Sequence, residues 1–453
     1  MSRAGGLTLL ATSDLHGERV PELPALVAAA PGPVLHVDNG DTFGGLAGLE
    51  YALATAPRTC RTLSWLGRVG TAALNLGNHD LDAGPSALAE RAAQGAVPLV
   101  SGNLRLDGTA PLPATVVRET PAGTVGIAGA LSAGAQAMWA PSLQRRTALS
   151  DPVPALVSAC RDLREAGCEW VVALGHFGLP LPPLDLRHPE RLPENPGDAL
   201  VAELSARPDG GRPLADVVVL GHTHVIHAAV QDRTAVVVPG RRGEGVARVR
   251  LPASNGPGAS PPEAEFVPLP GTAEQRLARA EGPVAALLRD EREALAALAA
   301  EPLPVPPGAE TFAQQLQAVA AAQLGATGLF VAARIAPDGP PARTVGEAQA
   351  RSPMLEPLVV LQVEREDLSE IRRHRAWHAA EQHREPDPRL AHRHAWHAFA
   401  EIGVRDAARQ TLAVPASWAG GYGGYSALAG CREVADPGWS LVELLRKGQR
   451  KER

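Results

Sequence analysis

Leu7-Thr8-Leu9-Leu10-Ala11-Thr12-Ser13-Asp14-Leu15-His16-Gly17 is an apolar, strand-like run that ends abruptly in an Asp, a His and a Gly. The same grammar recurs down the chain. Val34–Val37 leads into Asp38-Asn39-Gly40-Asp41, and Ala72–Leu76 into Gly77-Asn78-His79-Asp80. Trp170–Leu174 leads into Gly175-His176, and Val217–Leu220 into Gly221-His222-Thr223-His224. Sites in open α/β sheets lie at the carboxyl ends of strands, so these loops can converge on one rim. Residues two apart on an extended segment face the same way, so Asp14 with His16, and His222 with His224, can each chelate from one side. The neighbouring glycines let the backbone turn sharply and let ions and substrate approach.

Carboxylate and imidazole donors suit Mn²⁺, Fe²⁺, Co²⁺, Ni²⁺ or Zn²⁺, and the lack of clustered thiols argues against an iron–sulfur or structural zinc site. Each motif is common by chance when taken singly. Their conjunction, in one order and each behind a strand-like run, is what points to a metal centre.

Further apolar runs at Leu99–Gly102, Thr124–Ala130, Ala235–Val238 and Val246–Leu251 read as strands, several of them nearly continuous in Val, Leu and Ala, as expected for strands covered on both faces. Helical patterns lie between the runs at Pro21–Ala30, Pro85–Gln94 and Pro152–Gly167, so the first ~250 residues read as a layered α/β fold. Pro252 to Gly271 is rich in Pro, Gly and Ser and reads as a linker or loose edge. From Thr272 to Ala300 a helix is expected, with Leu277, Val284, Leu287, Leu288, Leu295 and Leu298 on one stripe. Pro302, Pro304, Pro306 and Pro307 stop it. The expected division is 1–268 for a first domain, 269–308 for a helical connection, 309–445 for a second domain and 446–453 for a frayed basic tail.

The 453 residues exceed what a single core of ~250–300 residues supports. A net charge of -6 gives no general attraction to nucleic acid or to an anionic membrane, so neither is expected as a partner. Cys60, Cys160, Cys168 and Cys431 are scattered and read as buried or incidental thiols. No leader pattern and no membrane-length apolar run is present, so the expected location is the cytoplasm.

With these residues in view, the chain resembles the calcineurin-like metallophosphoesterases, whose pattern is D-x-H, G-D, G-N-H-[DE], G-H and G-H-x-H. Within them it most resembles the 5'-nucleotidases, which include UDP-sugar hydrolases and 2',3'-cyclic nucleotide phosphodiesterases. Gly77-Asn78-His79-Asp80-Leu81-Asp82-Ala83-Gly84 is similar to that family's G-N-H-E-F-D-x-G, and Ser101-Gly102-Asn103-Leu104 to its A-N segment. The resemblance implies a four-layer α+β domain, two packed mixed β-sheets flanked by helices, with a second, smaller α/β domain at the C-terminus. It implies two divalent ions bridged by Asp41. One would be held by Asp14, His16, Asp41 and His224, and the other by Asp41, Asn78, His176 and His222. His79 would face the scissile phosphate and protonate the leaving oxygen or stabilise its negative charge, with Asp82 orienting its ring. Water activated by the ions would attack phosphorus in line. The implied substrate is a small phosphate ester, most readily a nucleotide. A phosphatase for another small ester and a non-catalytic metal- or nucleotide-binding relative are the alternatives.

The family's C-terminal domain binds the nucleoside through an N-x-G-G-x-R segment and stacking aromatics. Here Val331-Ala332-Ala333-Arg334 stands in that register, and Arg334 alone survives as a substrate-facing cation. Trp418-Ala419-Gly420-Gly421-Tyr422-Gly423-Gly424-Tyr425 is similar to the family's aromatic loop without its Asp. Asn103, Arg334, Trp418, Tyr422 and Tyr425 are therefore the candidate substrate-binding residues, with the three rings as stacking platforms. His374–Glu381 and His394–Glu401 form a near-repeat around Ala-Trp-His-Ala, and the interspersed arginines favour a polar helical pair or an inserted loop over a metal tract.

Overall fold

The computed structural model describes residues 6–43, 61–82, 84–108, 110–179, 195–206, 211–254, 259–279, 282–332, 337–352, 357–384 and 399–448. Two six-stranded sheets make the N-terminal part. The first runs β14 (Glu263–Pro268), β13 (Gly245–Leu251), β1 (Leu7–Thr12), β2 (Val34–Asp38), β3 (Thr71–Asn75), β4 (Leu99–Val100), with β1 to β4 parallel and β13 and β14 antiparallel. The second runs β11 (Ile226–Gln231), β12 (Thr234–Pro239), β10 (Val217–Leu220), β9 (Trp170–His176), β7 (Gly123–Leu131), β6 (Thr115–Thr120), parallel in the middle and antiparallel at both edges. A small ladder joins β5 (Leu104–Leu106) to β8 (Thr147–Leu149).

Alternation of side chains sorts the buried residues into layers. Leu9, Val37, Ile127, Val172, Leu174 and Val219 belong to the core between the sheets. Their neighbours point the other way. Leu10 and Leu74 pack against helix Arg61–Arg68 through Leu63 and Trp65, while Val171, Ala173 and Val218 pack against Leu156, Leu163 and Leu200 of helices Pro152–Glu165 and Gly197–Ser205. The result is the expected four layers. Strands covered on both faces explain the unbroken apolar runs.

Between the sheets, at the carboxyl ends of the strands, sits a polar clip. Asn75 Nδ2 donates to Asn39 Oδ1 (3.1 Å), Ala130 O (2.9 Å) and Leu174 O (3.2 Å), and Asn39 Nδ2 donates to Gly175 O (3.1 Å). These bonds fix β2 and β3 of one sheet against β7 and β9 of the other just below the loops that carry the metal-type ligands.

The C-terminal part is a five-stranded sheet in the order β17 (Phe399–Ile402), β15 (Gly328–Ala332), β18 (Arg409–Pro415), β16 (Leu358–Glu364), β19 (Arg432–Trp439). One face packs on helices Phe312–Leu324 and Leu441–Lys447, the other on helix Arg365–Arg384 and the segment around Trp418 and Tyr425.

Several expectations are corrected. The stretch read as a linker holds β14, which pairs with β13 from Gly245↔Pro268 to Arg250↔Glu263. Helix Gly282–Ala299 reaches both cores, with Leu288 in the N-terminal one and Leu298 in the C-terminal one. Arg446 and Lys447 lie in a helix and not in a frayed tail, with Arg446 Nη2 2.9 Å from Glu301 and the Lys447 ammonium 4.6 Å from the Trp439 ring centroid. The second Ala-Trp-His-Ala copy lies outside the described residues, while Phe399–Glu401, the end of its repeat, fall in β17, and Glu401 pairs with Arg372 and Arg375 of helix Arg365–Arg384. Cys160, Cys168 and Cys431 are free thiols, and Cys60 lies outside the described residues. Among the described residues no helix is long and apolar enough to cross a membrane.

Candidate metal centre

The loops after β1, β2, β3, β9 and β10 meet at one edge. Their backbone is unusual: Asp14, His16, Asp41, His222 and His224 all have positive φ, between 48° and 68°. Each such residue costs ~1–3 kcal/mol and persists only where its surroundings over-determine it. The surroundings here are backbone hydrogen bonds. Asp14 N donates to Gly40 O (2.8 Å), His16 N to Asp41 O (2.8 Å) and Gly17 N to Thr42 O (2.9 Å), which zips the β1 loop onto the β2 loop. Asp80 holds the β3 loop to them. Its carboxylate accepts the backbone N–H groups of Asp41 and Gly77 on one oxygen (2.9 and 2.8 Å) and of Thr42 and Phe43 on the other (2.9 Å each). A Cβ on Gly77 would collide with the Asp41 carboxylate, and one on Gly221 with Ser13 and Asp14, so glycine is required at both places.

The donors form two trios, Asp14 with His16 and His224, and Asp41 with His176 and His222, each within 4.8 Å. Two donors ~2.1 Å from one cation stand ~3.0 Å apart at a right angle and ~3.4 Å apart at the tetrahedral angle. The observed separations fall in that window. His16 Nε2 to His224 Nε2 is 3.0 Å, Asp14 Oδ1 to His224 Nε2 3.4 Å, Asp41 Oδ2 to His176 Nε2 3.2 Å and Asn78 Oδ1 to His222 Nδ1 2.9 Å. The trios adjoin, with His176 Nε2 3.9 Å from Asp14 Oδ1.

Electrostatics point the same way. Burial works against the charge on Asp41, but the imidazoles of His176 and His79 outweigh it and hold the carboxyl well below its ordinary range. Burial likewise opposes a proton on His176, yet Asp41 and Asp14 push it up to about 10. Burial takes His16 down to about 4 and His222 to about 3. The site thus surrounds its buried carboxylates with two imidazoles held neutral by burial, and only His176 is drawn toward its protonated form by Asp41 and Asp14. His176 Nδ1 donates to Asn39 O (2.7 Å), which fixes its tautomer, while its buried Nε2 makes no hydrogen bond. A ring nitrogen left unpaired inside a carboxylate cluster is what a cation would engage. The donor set therefore fits two divalent ions.

His79 stands beside the trios. Its ring centroid is 5.5 Å from that of His16, its backbone N–H donates to Asp41 Oδ1 (2.8 Å), and its Nδ1 lies 2.9 Å from Asp82 Oδ2. Residues 7–226 match the model of the calcineurin-like phosphoesterase family. Residues 7–226 are therefore a calcineurin-like phosphoesterase domain.

As such it is a metal-dependent phosphoester hydrolase. No curated protein matches the sequence. Among solved structures, the phosphoesterase is similar to a Staphylococcus aureus protein assigned as a 5'-nucleotidase, with a TM-score of 0.73 at 17% identity over 98% of this chain and 96% of that one. It is similar to a 5'-nucleotidase precursor from Thermus thermophilus, with a TM-score of 0.62 at 17% identity over 98% and 96%. It is also similar to a sulfate thiohydrolase from Thermus thermophilus, with a TM-score of 0.56 at 17% identity over 98% and 94%. These likenesses span both parts of the chain and establish the shared fold.

The expected substrate-binding residues fare differently from the metal-type ligands. Asn103 is buried and its amide is used structurally, with Nδ2 donating to Leu131 O (2.7 Å) and Ser150 O (2.9 Å), and Oδ1 accepting from Leu131 N (3.0 Å). Trp418 and Tyr425 are only 3% and 1% exposed and pack on each other at 5.4 Å inside the C-terminal core, so neither presents a ring face to a ligand here. Tyr422 is half-buried. Arg334, His392, His394 and His397 lie outside the described residues. His374 and His378 pack against Tyr425 at 4.8 and 6.0 Å.

Two features of the site have no signature in the sequence. Asp80 and Asn39 read only as neighbours of ligands, and nothing in the sequence shows that one ties three loops together and the other orients His176. Arg241 places a guanidinium at the mouth of the centre, with Nη1 3.4 Å from His224 Nδ1. It lies in the turn after β12, far from every motif.

Proposed function

We propose that this phosphoesterase hydrolyses nucleotides, as a 5'-nucleotidase or a 2',3'-cyclic phosphodiesterase, with residues 1–268 as the catalytic unit, 269–308 as a helical connection and 309–445 as the substrate domain. The observation that carries the reading is the pair of donor trios next to a His–Asp pair that belongs to neither. Asp14, His16, Asp41 and His224 would hold one divalent ion, and Asp41, Asn78, His176 and His222 the other; Mn, Fe, Co, Ni and Zn all suit the donors. Such a pair polarises a phosphoryl group, neutralises charge on its oxygens and supplies a nucleophile at neutral pH.

The chain's own residues do the rest. The Asp82 carboxylate accepts from His79 Nδ1, so the other ring nitrogen is the one that exchanges a proton with the leaving oxygen. The bond from His79 N to Asp41 Oδ1 holds that ring at a fixed place relative to the shared carboxylate. Arg241, at the mouth, is suited to the outer phosphate oxygens because its planar fork matches them.

The burial of Trp418 and Tyr425 favours a second reading, a phosphatase for another small ester whose organic part is not stacked between rings. A substrate panel separates the two. Protein freed of metal and then supplied with Mn²⁺, Co²⁺ or Zn²⁺ is assayed on AMP, 2',3'-cyclic AMP, UDP-glucose and p-nitrophenyl phosphate. The nucleotide reading predicts a kcat/KM for one nucleotide well above that for p-nitrophenyl phosphate. Turnover of the aryl ester alone supports the second reading, and turnover of none refutes both.

A further inference from the structure

The peptide between Asn78 and His79 joins the amide donor proposed beside the Asp41 trio to the proposed acid. Both of its polar groups are engaged. Its N–H donates to Asp41 Oδ1 (2.8 Å), and its C=O accepts from Trp139 Nε1 (2.8 Å), a bond buried from water. Trp139 comes from a segment remote in sequence, after the 3₁₀ turn Ala133–Met138. Its ring belongs to the N-terminal core, whereas the next residue, Ala140, belongs to the C-terminal core with Trp418 and Tyr425. Trp139 O accepts from Gln144 Nε2 (2.9 Å), which also reaches Gly420 O (3.4 Å). A Cβ on Gly420 would strike the Gln144 amide and the carbonyls of Ala137 and Trp139. Ser142 and Arg145 continue the contact outward to Asp436 and Glu433.

We infer that Trp139 is a positioning residue that sets the Asn78–His79 peptide, and that the C-terminal domain, by seating Gly420 on the Trp139–Gln144 turn, tunes the affinity of the Asn78 metal position. A neutral amide oxygen is the weakest donor of the set, so its contribution depends most on being held in place. The inference rests on the reading of Asn78 as a ligand.

The test uses the full chain and Mn²⁺ alone, followed by calorimetric titration of metal-free protein. Trp139→Phe keeps an aromatic ring, smaller than the indole, and removes the donor. It is expected to weaken one of two Mn²⁺ sites by ~10–100-fold, as loss of an outer hydrogen bond to a ligand does, while the other site is unchanged. On p-nitrophenyl phosphate, kcat should fall with little change in KM. Gln144→Leu, which leaves Trp139 in place and breaks the bridge to Gly420, should weaken the same site by a smaller factor, and it serves equally if Trp139→Phe does not fold. Two wild-type Mn²⁺ affinities in whichever variant folds would overturn the inference. Asn78→Ala tells the two failures apart. If it too keeps both sites, the ligand assignment is wrong; if it loses one while Trp139→Phe loses none, the positioning role alone is wrong.

Discussion

Asp80→Asn exchanges one carboxylate oxygen for an NH₂ group. In the parent each oxygen accepts two backbone N–H bonds, from Asp41 and Gly77 on one side and from Thr42 and Phe43 on the other. An asparagine can satisfy one pair only, and its NH₂ must then face two further donors in a site with no exposure. Each buried donor left unsatisfied costs ~1–3 kcal/mol, so the substitution should cost ~2–6 kcal/mol. In a domain of this size a loss of ~2 kcal/mol lowers the thermal midpoint by ~4–8 °C. The assay is thermal unfolding followed by circular dichroism in EDTA, which removes any contribution from bound ions. Asp82→Asn is the control, because it alters a bond to the His79 ring at the rim and not a junction of three loops. It should shift the midpoint by under ~2 °C and lower turnover instead. A midpoint for Asp80→Asn within ~1 °C of the parent would refute the claim that this carboxylate holds the loops together.

His79→Ala should lower kcat by ~10²–10⁴-fold while two ions remain bound, measured by steady-state kinetics with metal analysis; loss of an ion would make His79 a ligand. Arg241→Ala should raise KM for a phosphate monoester and weaken inhibition by inorganic phosphate by ~10-fold, with kcat little changed. His36, buried between Thr12 and Thr71, is driven by burial down to about 3. Its unfolded form takes up a proton near pH 6.5 and its folded form does not, so stability is complete above that pH and falls as pH drops toward 3. The loss reaches ~2 kcal/mol by pH 5, and His36→Gln should flatten that part of a plot of thermal midpoint against pH.

How much of this was legible in the sequence follows from where each signal resides. Asp14, His16, Asp41, Asn78, His176, His222 and His224 announce themselves because each follows a doubly covered strand, whose unbroken apolar run marks where the sheet stops. The edge strands β6 and β11 do not, since Val117, Ile226 and Val230 face solvent at 44%, 49% and 41% and blur the pattern. β14 was hidden by flanking Pro and Gly that speak for a linker, although Glu263 and Glu265 pair across to Arg250 and Arg248. Trp139, Asn75 and Asp80 act through partners distant in sequence or through backbone N–H groups, and no spacing rule reports either. For Trp418 and Tyr425 the sequence shows only an aromatic type and adjacent glycines. Their burial depends on helix Arg365–Arg384 closing over them, a long-range fact that composition does not carry.

Counting ions is the most direct check on two metal positions that share Asp41. Full-length protein loaded with Mn²⁺, dialysed and analysed by inductively coupled plasma mass spectrometry should hold about two ions per chain, and Asp41→Ala should bring both sites down together because its carboxylate serves each. A single ion in the parent, or an Asp41→Ala variant that still binds two, would contradict a shared dinuclear centre.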